Sequence, residues 1–141
     1  MDENIRKEIF DLLDSAKNAF VSSVDCDGFP GTKAMFALEH ERLSTFYFST
    51  NYSAKRTHQF MENPKACVYL CNQENLQGLM LKGEIQVCRD RENKARLWRD
   101  GFEMYYPKGV EDDDYCVLKF TANTGNYYHG LRNTTFSVDS I

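Results

Sequence analysis

The sequence predicts a mainly β (α+β) domain in which antiparallel strands form a closed or nearly closed barrel flanked by short helices. Three observations point there. Strand-like segments recur at short, regular intervals with few helical segments between them. Residues 78–88 alternate cleanly: Leu79, Leu81, Ile85 and Val87 share one face with Gly83, and Met80, Lys82, Glu84 and Gln86 share the other. Aromatic residues make up 13% of the 141 residues, a bias toward strands and toward packing around a ring or a partner.

Taken in order, residues 3–17 predict an amphipathic helix, with Ile5, Ile9, Leu12, Leu13 and Ala16 at helical spacing and Asp2 and Glu3 at its start. Ala19 to Cys26 reads as a strand that ends in the turn Asp27-Gly28-Phe29-Pro30. Residues 31–40 and 43–50 read as two more strands joined by a tight turn near Glu41-Arg42. A helix over 54–62 is stopped by Pro64, which restricts Asn63 and cannot continue the hydrogen-bond ladder. Residues 66–72 are apolar on both faces, as a central or interfacial strand would be. Within 78–88, Gly83 suggests a bend or a close backbone approach. A helix is expected from Arg91 to about Tyr105, with Leu97, Trp98 and Phe102 inward, then an acidic loop over 108–114. Tyr115 to Thr121 is a further strand, and Tyr127-Tyr128 and Phe136 mark one or two short closing strands.

Composition narrows the function. A formal net charge of −4 argues against broad nucleic-acid binding, which needs an extended basic face. No apolar run approaches the ~20 residues that span a bilayer, and no signal peptide is evident. Five cysteines, at 26, 67, 71, 88 and 116, fit no zinc spacing, and reduced thiols in a cytoplasm are the expectation. There is no Gly-x-Gly-x-x-Gly, Walker loop, nucleophile elbow or His-Glu-x-x-His. His40, His58 and His129 fall in different elements, so neither a metal site nor a hydrolytic triad is expected from them.

The most informative stretch runs from Leu43 to Pro64: an aromatic strand, a short polar loop and a helix opening with Ser53, Lys55 and Arg56. A helix start offers unpaired N–H groups and partial positive charge, and a hydroxyl with two cations there suits a doubly charged phosphate. The plainer alternative is that Ser53 is an N-cap and Lys55 and Arg56 are solvated surface. Lys33, on a strand, is either a further phosphate ligand or an ordinary exposed lysine. Phe46 and Phe48 serve as barrel core, and Met35 as core filler. The Glu111–Asp114 run reads as solvated loop, with Asp113 available to cap the next element.

Phe46–Thr50, then Ser53-Ala54-Lys55, then Asn63-Pro64 follow one another in an order that resembles the FMN-binding split-barrel superfamily, typified by pyridoxamine 5′-phosphate oxidase. Upstream, Gly28-Phe29-Pro30 and Thr32-Lys33-Ala34-Met35 resemble its Gly-x-Pro turn and Arg-Pro-Met strand. Downstream, Trp98, Tyr106-Pro107, Gly109 and Asp113 resemble its small general-stress-protein branch. The resemblance implies one antiparallel Greek-key split β-barrel domain over 1–141 that binds FMN. It assigns Lys33, Ser53, Lys55 and Arg56 to the flavin phosphate, and Ala34, Met35, Phe48, Ser49, Thr50 and Asn51 to strand backbone along the isoalloxazine. It further implies a homodimer with the flavin at the subunit interface, completed by the second subunit, for which Trp98, Tyr106, Gln86 and Lys82 are candidates. The activity implied is that of an FMN-dependent oxidoreductase with a small-molecule redox partner. A non-catalytic flavin-binding stress protein, or a barrel adapted to deazaflavin or to haem through His58 or His129, is the alternative. The sequence departs from the family in carrying Lys33 where relatives carry Arg and Ala54 where many oxidases carry Arg. It ends at Ile141 without their Arg-rich C-terminal segment, so vitamin B6 oxidation is not expected.

Overall fold

In the computed structural model, which describes residues 1–37 and 39–141, helix α1 (Glu3–Ser15) opens the chain. Asp2 caps it by accepting from the Asn4 N–H at 2.7 Å, and its apolar stripe sends Ile9, Leu12 and Leu13 into the core. Strands β1 (Ala19–Val24) and β2 (Pro30–Met35) pair antiparallel across a turn in which Gly28 takes a φ of +87°. Strands β3 (Glu39–Glu41) and β4 (Thr45–Asn51) form a second hairpin at the expected Glu41-Arg42 turn, where the Ser44 N–H donates to the Glu41 carbonyl at 3.0 Å. The single strand expected over 31–40 is therefore two. The chain changes partner between them, β2 pairing with β1 and β3 with β4; Leu38, inside the expected strand, lies outside the described residues.

Helix α2 (Lys55–Glu62) is followed by the strands β5 (Lys65–Asn72) and β6 (Gln77–Cys88), the short helix α3 (Arg91–Leu97), and the strands β7 (Tyr115–His129) and β8 (Arg132–Ser137). The eight strands form one antiparallel sheet in the order β2-β1-β5-β6-β7-β4-β3. β8 continues the β4 side of β7, so β7 is flanked by β4 along Tyr115–Thr121 and by β8 along Thr124–His129. The order jumps between β1 and β5 and between β7 and β4. Among the described residues no pairing joins β2 to β3, so the sheet stays open between them, as the expected split barrel does. A register shift falls at Lys82/Gly83. An ideal Cβ on Gly83 would sit 1.9 Å from the Thr121 carbonyl oxygen, which is the close backbone approach its position implied.

Two further expectations fail, each for a physical reason. The helix expected to reach Tyr105 stops at Leu97: Trp98 is extended, and Gly101 turns left-handed at a φ of +97° before a short 3₁₀ turn at Phe102–Met104. Leaving the helix frees Trp98, Phe102 and Tyr106 to pack around Tyr115, with ring centroids 5.0–6.3 Å from it. The separate strands expected after Tyr115 are one 15-residue strand. Its polar middle, Thr121 to Asn126, looks like loop in sequence, but pairing to β6 there, and to β8 from Thr124 onward, overrides that weak propensity.

Because β4 is buried on both faces, Phe46 and Phe48 fill the main core with Leu79, Leu81, Leu118 and Phe120, while Tyr47 points into a second, aromatic cluster with Tyr106 and Tyr115.

Candidate functional site

Beyond Phe48 the strand β4 runs out of core, and its last residues, Ser49, Thr50 and Asn51, form one wall of a cavity of about 450 Å³. Lys33, Ala34, Met35 and Phe36, at the end of β2, form a second wall, and Phe102, Tyr105 and Tyr106 a third. The cavity thus joins six of the ten residues singled out from sequence, from two strands that do not pair with each other. Arg56 reaches its edge, with Nη1 3.6 Å from the Met35 sulfur. Ser53 and Lys55 are exposed at the entry to α2, outside the lining, and the Phe48 side chain is fully buried behind it.

Sequence reasoning missed Phe36, Phe102 and Tyr105; Tyr106, one candidate for a second subunit's contribution, lines its own chain's cavity. The signal for 102–106 was hidden by the helix expected there. Nothing in sequence marks Phe36 as more than a strand residue.

The entry to α2 is held by backbone and by Asp114. The Tyr52 N–H donates to the Asp114 carbonyl at 2.7 Å, the Ser53 N–H to Asp114 Oδ1 at 2.8 Å, and the Ala54 N–H to the Asn51 carbonyl at 3.2 Å. Ala54, not Ser53, holds the N-cap position, and no side chain caps the helix, so Ser53 is not the cap that one reading required. Likewise Glu111, paired with Arg91, and Asp112 and Asp114, rather than Asp113, carry the carboxylate contacts of the acidic run. Thr57 Oγ1 donates to the Asn51 carbonyl at 2.7 Å and the Tyr106 hydroxyl to Asn51 Oδ1 at 2.8 Å. Burial pushes the Tyr106 phenol up to about 12, so it stays a donor throughout the physiological range.

Two buried polar atoms beside this cavity find no hydrogen-bond partner among the described residues: Ser49 Oγ and Arg56 Nε. Tyr115 donates to the Lys94 carbonyl at 2.9 Å, and its phenol oxygen lies close to the Ser49 hydroxyl. Burial also pulls the Arg56 guanidinium below its usual value, and among the described residues no carboxylate pairs with it. A cavity with an aromatic wall, an unmet hydroxyl and an unpaired cation fits a flat polar ring carrying an anionic group.

Other titratable groups lie elsewhere. His58 packs near Tyr52 with ring centroids 5.6 Å apart, and His129 Nδ1 lies 3.0 Å from Glu8 Oε1; neither lines the cavity. No cluster of three metal-ligating side chains occurs among the described residues, and no helix there is long and apolar enough to cross a membrane. Cys88 and Cys116 are buried, Cys67 and Cys71 half-buried and Cys26 exposed, all five unpaired.

The family profile described as pyridoxamine 5′-phosphate oxidase like matches residues 4–140. The chain belongs to that family. Among solved structures, a Clostridium acetobutylicum protein related to general stress protein 26 of B. subtilis (pyridoxinephosphate oxidase family) is 41% identical, with 99% of each chain covered and a TM-score of 0.88. General stress protein 26 from Bacillus anthracis is 19% identical over 94% of this chain and 99% of its own, at a TM-score of 0.74. A putative pyridoxamine 5′-phosphate oxidase from Listeria innocua is 21% identical over 87% and 97%, at 0.71. The last two are likenesses of fold. No curated protein matches the sequence. Membership in the pyridoxamine 5′-phosphate oxidase-like family places the chain in a split-barrel fold that commonly binds flavin.

Proposed function

We propose that this protein binds FMN in the 450 Å³ cavity and acts as a flavin-dependent oxidoreductase on a small molecule, as a cytoplasmic homodimer. One observation carries the reading: the cavity joins the ends of β2 and β4 beside two buried polar atoms, Ser49 Oγ and Arg56 Nε, that the described protein leaves unmet. Bound FMN would supply hydride and electron transfer that no side chain here can perform.

The chain's own residues bind and orient. Arg56, Lys55 and the Ser53 hydroxyl supply the charge and donors for a phosphate at the α2 entry, where Tyr52, Ser53 and Ala54 have already committed their N–H groups. Backbone of Ser49–Asn51 and Ala34–Met35 offers edge contacts to a ring, with Asn51 fixed by Tyr106. Lys33 brings a positive charge to the cavity wall, where it can offset negative charge gained on reduction. Phe36 and Tyr105 are 73% and 71% exposed at the rim, an apolar surface that a second copy of the chain would cover. Gln86 and Lys82, exposed on β6, are the further candidates for that contact.

The test is a visible spectrum of the purified protein, with mass identification of released cofactor and FMN added back if none is found. Bands near ~370 and ~450 nm, as for an oxidised flavin, together with released FMN support the reading. A colourless protein that takes up no added FMN overturns it. Reduction of bound flavin by NADH or NADPH tests the oxidoreductase step, and sedimentation tests the dimer.

A further inference from the structure

The acidic run does not hang in solvent; it is built against the α2 entry. Asp114 takes the Tyr52 N–H on its carbonyl and the Ser53 N–H on its carboxylate, at 2.7 and 2.8 Å. Asp112 stands behind it, its carboxylate accepting the Asp114 N–H at 3.0 Å and the Lys108 N–H at 3.1 Å. These backbone donors hold the Asp112 carboxyl below the usual carboxylate range. The Asp112 carbonyl in turn receives the ammonium of Lys94 at 3.0 Å, a lysine only 8% exposed. From the other side the Tyr106 hydroxyl holds Asn51. Residues 51–53 are thus clamped by the segment 94–115 of the same chain.

This clamp opposes the ligand it supports. The Asp114 carboxylate ties down the Ser53 N–H, one residue before the N-cap, and sets a negative charge two residues from Lys55. For a loop serving only to hold a dianion, both are unfavourable. Resting on the FMN reading above, we infer that Asp114 is a built-in counter-charge that shapes the α2 entry and holds its affinity for a phosphate below what Lys55 and Arg56 would give. The protein thereby holds its flavin exchangeably, and Asp114 acts on the phosphate end of the ligand alone.

Asp114→Asn separates the two roles, since it keeps an oxygen to accept the Ser53 N–H and removes the charge. Affinities for FMN and for riboflavin, which has no phosphate, are read by flavin fluorescence in wild type and variant, with thermal melts to report folding. FMN should bind about threefold to tenfold more tightly and leave more slowly, with the gain shrinking as salt screens it. Riboflavin binding should not change. Equal or weaker FMN binding, or an equal shift for riboflavin, overturns the inference and leaves the FMN assignment standing. Wild-type protein that binds no FMN overturns both. If Asp114→Asn does not fold, Asp114→Ser, read on the same two flavins, decides the sign.

Discussion

Two cavities of nearly equal size, about 450 and 440 Å³, differ in what their walls still lack. The larger gathers the ends of β2 and β4 and the 102–106 turn, and leaves Ser49 Oγ and Arg56 Nε unmet beside it. The other runs from the end of β1 and the start of β5 across the middles of β6 and β7, and no buried polar atom of its lining lacks a partner among the described residues. Ser23 donates to Gln59 Oε1 at 2.8 Å, Ser22 and Thr32 share a hydrogen bond of 2.8 Å, and the charged lining residues Lys65, Lys82 and Glu84 are exposed to solvent. Volume does not single out a site here; unfinished hydrogen bonding does.

The comparison breaks most severely from behind. Phe48→Ala removes the fully buried ring that backs the β4 end, and should cost about 3–5 kcal/mol in denaturant unfolding, with flavin uptake lost alongside. Arg56→Met attacks the larger cavity's edge alone. A lost charge-assisted bond is worth about 1.5–3 kcal/mol, so FMN titration should show affinity falling about tenfold to a hundredfold while the melt barely moves. An unchanged affinity would detach Arg56 from the phosphate.

Tyr106→Phe is the next step down. It frees Asn51 and should weaken FMN by about tenfold or less, the worth of one neutral hydrogen bond. It also has a pH signature. With the folded phenol pushed from 10.0 to about 12, its contribution is whole below pH 10 and is lost as pH rises toward 12, because the unfolded chain releases the proton first. Melts between pH 9 and 12 should fall less steeply in the variant. Cys116, raised from 9.0 to about 11 by burial, pulls stability the same way and is retained in the variant, so some slope persists. The smallest effect is the control: Lys65→Ala, in the other cavity, should leave FMN affinity unchanged. A loss as large as that of Arg56→Met would erase the distinction between the two cavities.

Much of this architecture was legible in the chain because local signals agreed with tertiary ones. The alternation of 78–88, the turn at Glu41-Arg42 and the Pro64 stop each mark an element that stands where expected. Lys33–Met35 and Ser49–Asn51 could be paired in advance only through family resemblance, since no local pattern links the ends of two strands that do not touch. What escaped was governed by distant partners. The 98–106 segment breaks its helix to pack on Tyr115, seventeen residues beyond Trp98 in sequence. The middle of β7 is a strand because its neighbours make it one. Asp114 looked solvated because its partner, Ser53, lies 61 residues earlier.

Strand β2 has a consequence for handling the protein. Among the described residues it pairs with β1 alone, and five of its six residues are exposed, Lys33 and Ala34 included. Its outer row of backbone groups is an open template for another strand, the geometry that seeds edge-to-edge aggregation. One lysine and the opening proline are its own guards. The strand that walls the proposed flavin cavity is thus also an adhesive margin, so stripping the protein of ligand and concentrating it should cloud the solution before it unfolds the barrel.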